Sequence, residues 1–184
     1  MRLFSSNQRR QFEKQAQPLS DSLYHAALRL TRQTEWAEDL VQDTLIRAYE
    51  RYELFQQGTN FRAWLFTILT HTYLNNCERV KRRPVTASYD TANDQGSTWE
   101  FPSGQESDPA EILTGGILDE NLQRALDALA EDFRIAVLLV DMEELSYQEA
   151  ADALGVPIGT VRSRVSRGRG QLRQMLTAAT QQVK

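Results

Sequence analysis

Ser146-Tyr147-Gln148-Glu149-Ala150-Ala151-Asp152-Ala153-Leu154-Gly155-Val156-Pro157-Ile158-Gly159-Thr160-Val161-Arg162-Ser163-Arg164 reads as a short capped helix, a glycine turn and a second helix. Ser146 and Glu149 have the spacing of a capping box, in which each side chain satisfies a free backbone N–H at the helix start. Gly155 suits the left-handed residue that closes such a helix, and Pro157 suits the first turn of the next. Along that second helix Val161, Val165, Gly168, Leu172 and Leu176 recur at helical spacing as a buried stripe. The opposite face carries Arg162, Ser163, Ser166, Arg167 and Arg173. The pattern is a helix-turn-helix whose second helix suits the DNA major groove.

A surface hairpin with a solvated basic face would share the glycine turn. Solvated faces, however, usually mix signs for i,i+4 pairing. Residues 157–174 hold no acid, and Arg162, Arg164, Arg167, Arg169 and Arg173 give a local +5 in a chain of formal net charge −4. Phosphate binding depends on such local charge rather than on the total. The rest of the charge is segregated in the same sense. Between residues 85 and 132 Arg124 is the one base among many acids, and Arg79, Lys81, Arg82 and Arg83 form a second basic island before it.

At 184 residues with 41% hydrophobic and 25% charged residues, the chain has room for one ordinary domain or two small ones. No apolar run approaches the roughly 20 residues of a membrane span. Residues 1–14 lack the apolar stretch of an export signal. One cysteine, Cys77, excludes an internal disulfide and fits a reducing compartment. With His25 and His71 as the sole histidines, no zinc-ligand spacing exists. No metal, cofactor or catalytic residue is expected.

Period-2 alternation is nearly absent, so an all-α protein is predicted. Leu19, Leu23, Ala26, Ala27 and Leu30 give a first helix ending near Arg32. Thr34 caps a second over about residues 35–55, and Gln57-Gly58-Thr59-Asn60 is a turn. A third runs over about residues 61–82, with Trp64, Leu65, Ile68, Leu69 and Leu74 inward, and stops before Pro84. Residues 85–116, rich in Ser, Thr, Gly, Asp and Pro, read as an acidic flexible linker in which Trp99 and Phe101 follow no period. Helices resume with Leu118, Leu122, Ala125, Leu126 and Leu129. Two small helical domains, residues 1–84 and 117–184, are therefore expected, each barely able to bury enough surface to fold alone.

Asp39-Leu40-Val41-Gln42-Asp43-Thr44-Leu45-Ile46-Arg47-Ala48-Tyr49 and Phe61-Arg62-Ala63-Trp64-Leu65-Phe66-Thr67-Ile68, followed by Leu145–Ala151 and Gly159–Arg164, resemble blocks of one family. In order, spacing and total length the chain resembles the bacterial RNA polymerase sigma factors of the extracytoplasmic-function (ECF) group. The resemblance implies that Asp39, Gln42 and Asp43 bind the clamp of the largest polymerase subunit; they share a helix face at i, i+3 and i+4, and such chemistry suits an arginine-rich partner. It implies that His71, Thr72, Tyr73 and Asn75 hold bases of a melted −10 element, with Arg79, Lys81, Arg82 and Arg83 on its backbone. Trp64 and Phe66 fit core packing better than stacking. It implies further that the second domain reads the −35 duplex through Arg162, Ser163, Ser166 and Arg167, with Gly159 and Thr160 at a phosphate, and that it touches the flap of the second-largest subunit. The implied protein is a cytoplasmic initiation factor, not an enzyme, whose partners are core RNA polymerase and promoter DNA; an anti-sigma factor is a further partner that the resemblance allows.

The chain departs from the family pattern at three places. His71 falls where asparagine is common, and Ala130 where many relatives have proline. Gly168 and Gly170 stand inside the recognition helix, each expected to weaken it by roughly 1 kcal/mol relative to alanine. From the residues alone two other classes stay open. One is a stand-alone helix-turn-helix regulator that binds paired half-sites as a dimer. The other is an enzyme using the Asp39 and Asp43 carboxylates, for which no nucleophile, metal ligand or phosphate loop accompanies them.

Overall fold

A computed structural model describes residues 6–82 and 120–182 of the chain. The acidic stretch 85–116, Trp99, Phe101 and Arg83 lie outside the described residues. All regular structure among the described residues is helical. The N-terminal half comprises α1 (Ser6–Ala16), α2 (Ser20–Thr31), α3 (Thr34–Glu50) and α4 (Phe61–Arg82). The C-terminal half comprises α5 (Glu120–Ala128), α6 (Glu131–Val137), α7 (Tyr147–Leu154) and α8 (Ile158–Gln182).

The expected helices are present, with differences at their ends. α1 was not expected: residues 6–16 are polar overall, and the helix is held by Phe12 and Ala16, which reach the core. Phe12 lies edge-on to Tyr49, Tyr52 and Phe61. The predicted cap at Thr34 is replaced by Gln33, an extended residue with no side-chain cap bond, so Thr34 is the first helical residue. α3 ends at Glu50 rather than running to residue 55, and a 3-10 turn over Tyr52–Leu54 follows it. That turn places Tyr52 and Phe55 in the aromatic cluster with Phe61. Trp64 packs 5.2 Å from Phe55 between ring centroids, and Phe66 is fully buried. Both therefore serve the core, as their spacing suggested.

α2, α3 and α4 pack together around Leu23, Ala27, Leu40, Leu65 and Leu69. The two halves do not stand apart. α4 lies against α7, and one apolar cluster continues from these residues through Ile135, Leu139, Leu145, Ala150 and Val161. A smaller cluster of Ala125, Leu126, Leu129, Val137 and Leu172 joins α5 to α6 and α8.

α6 runs into a π-helical turn over Leu138–Met142, and Glu144 two residues later has φ 57. π turns are rare and often mark functional positions. A left-handed non-glycine residue costs roughly 1–2 kcal/mol. Glu143 lies between these two irregularities with 3% of its surface exposed.

The two glycines of α8 differ in kind. A Cβ at Gly168 would lie 2.7 Å from Val137 Cγ2 and 3.5 Å from Phe133, whereas one at Gly170 would meet nothing within 4 Å. Gly168 therefore permits the close crossing of α8 over α6, while Gly170 carries only its propensity cost. Alanine at 170 is expected to stabilise the protein by about 1 kcal/mol. Alanine at 168 is expected to destabilise it by about 1–3 kcal/mol through overpacking against a stiff valine. Urea unfolding of the two variants checks the opposite signs, with the slope unchanged in both.

Candidate nucleic-acid interface

The helix-turn-helix forms as its residues dictate. The Ser146 hydroxyl oxygen accepts from the Glu149 N–H at 3.2 Å, and the Ser146 N–H donates to Glu149 Oε2 at 2.8 Å. A reciprocal cap of this kind contributes about 1 kcal/mol. Partial burial would raise the Glu149 carboxyl, but the Ser146 hydroxyl, the Ser146 amide and the Asn60 side chain outweigh it and hold the group below its usual range. Gly155 adopts φ 63 and ends α7. Pro157 stands one residue before α8, and its carbonyl accepts the N–H groups of Thr160 at 2.8 Å and Val161 at 3.3 Å.

The faces of α8 separate cleanly. Val161, Val165, Gly168 and Leu172 are buried, while Arg162, Ser163, Ser166, Arg167 and Arg173 are exposed. Two of the five arginines are withdrawn from that surface. Arg164 Nη2 donates to Asp132 Oδ2 at 2.7 Å. Arg169 forms a two-pronged pair with Asp141, Nε to Oδ2 at 2.9 Å, and its guanidinium is raised above its ordinary value, chiefly by those hydrogen bonds. The acids that neutralise them lie on α6 and the π turn, 32 and 28 residues upstream, where no local charge pattern in α8 reveals them. Arg162 remains at the surface, 6.0 Å from the Tyr147 ring centroid. Gly159 is exposed and Thr160 half-buried. The Thr160 amide is already bonded to Pro157, so a phosphate at this turn would meet the Gly159 amide and the Thr160 hydroxyl instead.

In the N-terminal half, α3 carries Gln42 exposed and Asp39 and Asp43 half-buried along one face. Ile46 continues that face with 49% of its surface exposed, and Leu54 in the following turn is 76% exposed. The predicted second helix, over about residues 35–55, takes in both residues; Ile46 lies within α3, whereas Leu54 falls in the turn after it.

α4 splits the expected base-contacting residues. His71, Asn75 and Arg79 are exposed, but Thr72 and Tyr73 are buried at 2% and 1%. The Tyr73 hydroxyl donates to Glu131 Oε1 at 3.0 Å and lies 3.4 Å from Arg134 Nη2, both on α6. Burial pushes the phenol well above its ordinary range, so it stays a neutral donor. Lys81 and Arg82 fall on the last turn of α4.

Polar pairs cross between the halves along this same side. Glu143 receives Arg62 Nη2 at 2.5 Å, lies 3.6 Å from Arg29 Nη1 and accepts from the Ser22 hydroxyl at 3.4 Å. Burial raises its carboxyl, against the pull of Arg62 and Arg29, and the same burial lowers Arg29. Asn60 Nδ2 donates to Glu149 Oε1 at 2.7 Å, and Arg32 Nε pairs with Asp127 Oδ1 at 3.0 Å. None of these partners was foreseen, because each joins residues far apart in the chain.

Among the described residues no group of His, Cys, Asp and Glu could hold a metal ion, and no helix is long and apolar enough to cross a membrane.

Residues 16–83 match the family Sigma-70 region 2, and residues 119–172 match Sigma-70, region 4. The chain is 38% identical over 160 residues to the ECF RNA polymerase sigma factor SigE of Mycolicibacterium smegmatis, covering 85% of this chain and 58% of that longer protein. It is 37% identical over 155 residues to the ECF RNA polymerase sigma factor EcfG of Rhodopseudomonas palustris, covering 84% and 79%. The ECF RNA polymerase sigma-E factor of Escherichia coli K12 is 33% identical over 135 residues, covering 71% and 69%. Among solved structures, the sigma factor RpoE of Bartonella quintana, crystallised with the anti-sigma factor NepR, superposes with a TM-score of 0.69 at 29% identity, covering 91% of this chain and 97% of that one. CnrH, solved with the cytosolic domain of CnrY, shares the fold, with a TM-score of 0.62 at 22% identity and coverage of 92% and 90%.

Proposed function

Because the chain belongs to the ECF group of RNA polymerase sigma factors, we propose that it acts in the cytoplasm as a promoter-directing subunit of RNA polymerase and performs no bond chemistry itself. Residues 1–84 serve as the domain that joins the polymerase clamp and the −10 element. Residues 117–184 serve as the domain that reads the −35 element and meets the flap of the second-largest subunit, and residues 85–116 connect the two.

The observation that carries the reading is the surface of α8. It presents Arg162, Ser163, Ser166, Arg167 and Arg173 with no acid among them, on a helix backed by a capped partner and a left-handed glycine turn. Arginine offers two parallel donors to guanine O6 and N7, and serine accepts or donates at either neighbour. At the other end of the chain, Asp39, Gln42 and Asp43 present an acid-and-amide face, with Ile46 as an apolar neighbour, suited to an arginine-rich partner helix. His71, Asn75 and Arg79 stand on the exposed face of α4 for a displaced strand. The Bartonella relative was solved with an anti-sigma factor, and a protein of that kind is the proposed antagonist here.

Run-off transcription with core polymerase and a promoter library tests the reading. Start-site selection that depends on the added protein, with a shared pair of elements among the selected promoters, is expected. Tight dimeric binding to paired half-sites without polymerase would replace it with a stand-alone regulator.

A further inference from the structure

We infer that Asp141 is a specificity-determining residue that acts without touching DNA: by pairing with Arg169 it keeps that arginine off the phosphates, so that α8 binds through its base-reading face rather than through charge alone. The inference rests on the DNA-reading role proposed above and adds a positioning residue to it.

Arg169 stands where a free guanidinium would find phosphate. It follows Arg162 by seven residues, which puts it about 20° away around α8 and roughly 10 Å further along the axis. The major groove is about 12 Å wide, so a cation that far along a helix seated in it faces the bordering backbone. The Arg169 side chain is 50% exposed, enough to turn outward if it lost its partner. It is held instead from two sides. Nε donates to Asp141 Oδ2 at 2.9 Å and Nη2 donates to Oδ1, while the Tyr147 hydroxyl at the start of α7 lies within hydrogen-bonding reach of the same guanidinium. Asp141 is fixed in turn. It lies in the π turn between Val140 and Met142, both packed against the apolar core.

The pairing decides how much charge DNA meets. Of the five arginines of α8, Arg164 and Arg169 are neutralised, which leaves Arg162, Arg167 and Arg173 without an ion pair among the described residues. Each further phosphate neutralised steepens the salt dependence by about 0.9 and tightens binding to any sequence. A sequence-independent complex can slide until a released guanidinium meets a phosphate, whereas base contacts fix the register of a promoter complex. Release of Arg169 therefore favours unrelated DNA. Selectivity is a difference of two affinities, so withholding a sequence-independent contact raises it just as adding a base contact does. Arg164 is less able to act in this way. Its side chain is 20% exposed, and the acid that holds it, Asp132, is the exposed member of the pair.

Fluorescence anisotropy of the full chain with a short duplex of unrelated sequence, over a range of salt, tests the role of Asp141. Asp141→Asn is expected to bind roughly threefold more tightly, with a salt slope steeper by about 0.9. Asp141→Glu keeps the charge and is expected to retain the wild-type slope. Combining Asp141→Asn with Arg169→Gln should restore that slope, because the released cation is gone. Asp21→Asn makes the same change of net charge on α2, and Asp132→Asn makes it on α6; both should move the slope far less. In the holoenzyme, unrelated DNA should compete more strongly against a selected promoter when Asp141→Asn is present. A purely structural pair predicts the opposite sign, weaker binding with a lowered melting temperature. Unchanged or weaker binding by folded Asp141→Asn, or an equal gain in Asp21→Asn or in the double variant, would overturn the inference. A wild-type holoenzyme that selects no start site would instead sink the proposed function, while the salt slopes still decide whether Asp141 restrains Arg169.

Discussion

A chain carrying Asp39→Ala and Asp43→Ala is expected to bind core RNA polymerase at least about a hundredfold more weakly than the wild type. Truncating one charged residue at the centre of an interface costs about 2 kcal/mol or more, and 1.4 kcal/mol is tenfold in affinity. The fold should survive. Asp39 and Asp43 are half-buried on α3, and the buried residues of that helix are Ala37, Leu40, Thr44 and Ala48. Asparagine at both positions separates shape from charge, and the loss should be nearly as large if the partner surface is rich in arginine. Ile46→Asp tests the apolar neighbour of the same face. A titration of labelled protein with core enzyme, beside a thermal melt, measures both quantities. Undiminished holoenzyme formation would remove this face of α3 from the polymerase contact.

The second large effect concerns the recognition helix and separates arginines that look alike in sequence. Arg162→Ala and Arg167→Ala are each expected to cost about 1–3 kcal/mol of discrimination at one −35 position where they read a base. Where they meet phosphate, they should instead lower the salt slope by about one. Arg164→Ala and Arg169→Ala should leave discrimination nearly intact and act on stability, since their guanidinium groups bond Asp132 and Asp141. Because Arg164 and Arg169 are held at partly exposed positions, the stability change is expected to be small. Measuring holoenzyme binding to single-base variants of a selected promoter at several salt concentrations sorts the four residues. Equal loss at all four would mean that the pairs with Asp132 and Asp141 do not persist on DNA.

Gly168 and Gly170 show how far sequence reasoning reaches within one helix. Both carry the same propensity cost, and no local pattern separates them. The crossing of α8 over α6 makes one a contact point against Val137 and leaves the other in open space. Tyr73 makes the same point for the site. Its place in α4 matched a base-contacting position of the family, yet its hydroxyl is bonded to Glu131, 58 residues onward.

What the sequence by itself determined is everything that depends on neighbours within a turn or two. Capping boxes, left-handed glycines and apolar stripes are local, so the helix-turn-helix, the span of α4 and the exposed face of α8 are legible in the order of residues alone. The family blocks, being contiguous, were legible in the same way. The tertiary structure alone decided which charges meet. Glu143 with Arg62, Asp132 with Arg164, Asp141 with Arg169 and Glu131 with Tyr73 are each set by helix crossings. Electrostatic pairing acts through space over a few ångströms, whereas a chain records only order along the backbone. The burial of Thr72 and Tyr73, the exposure of Ile46, and the closure of one half upon the other belong to that second class.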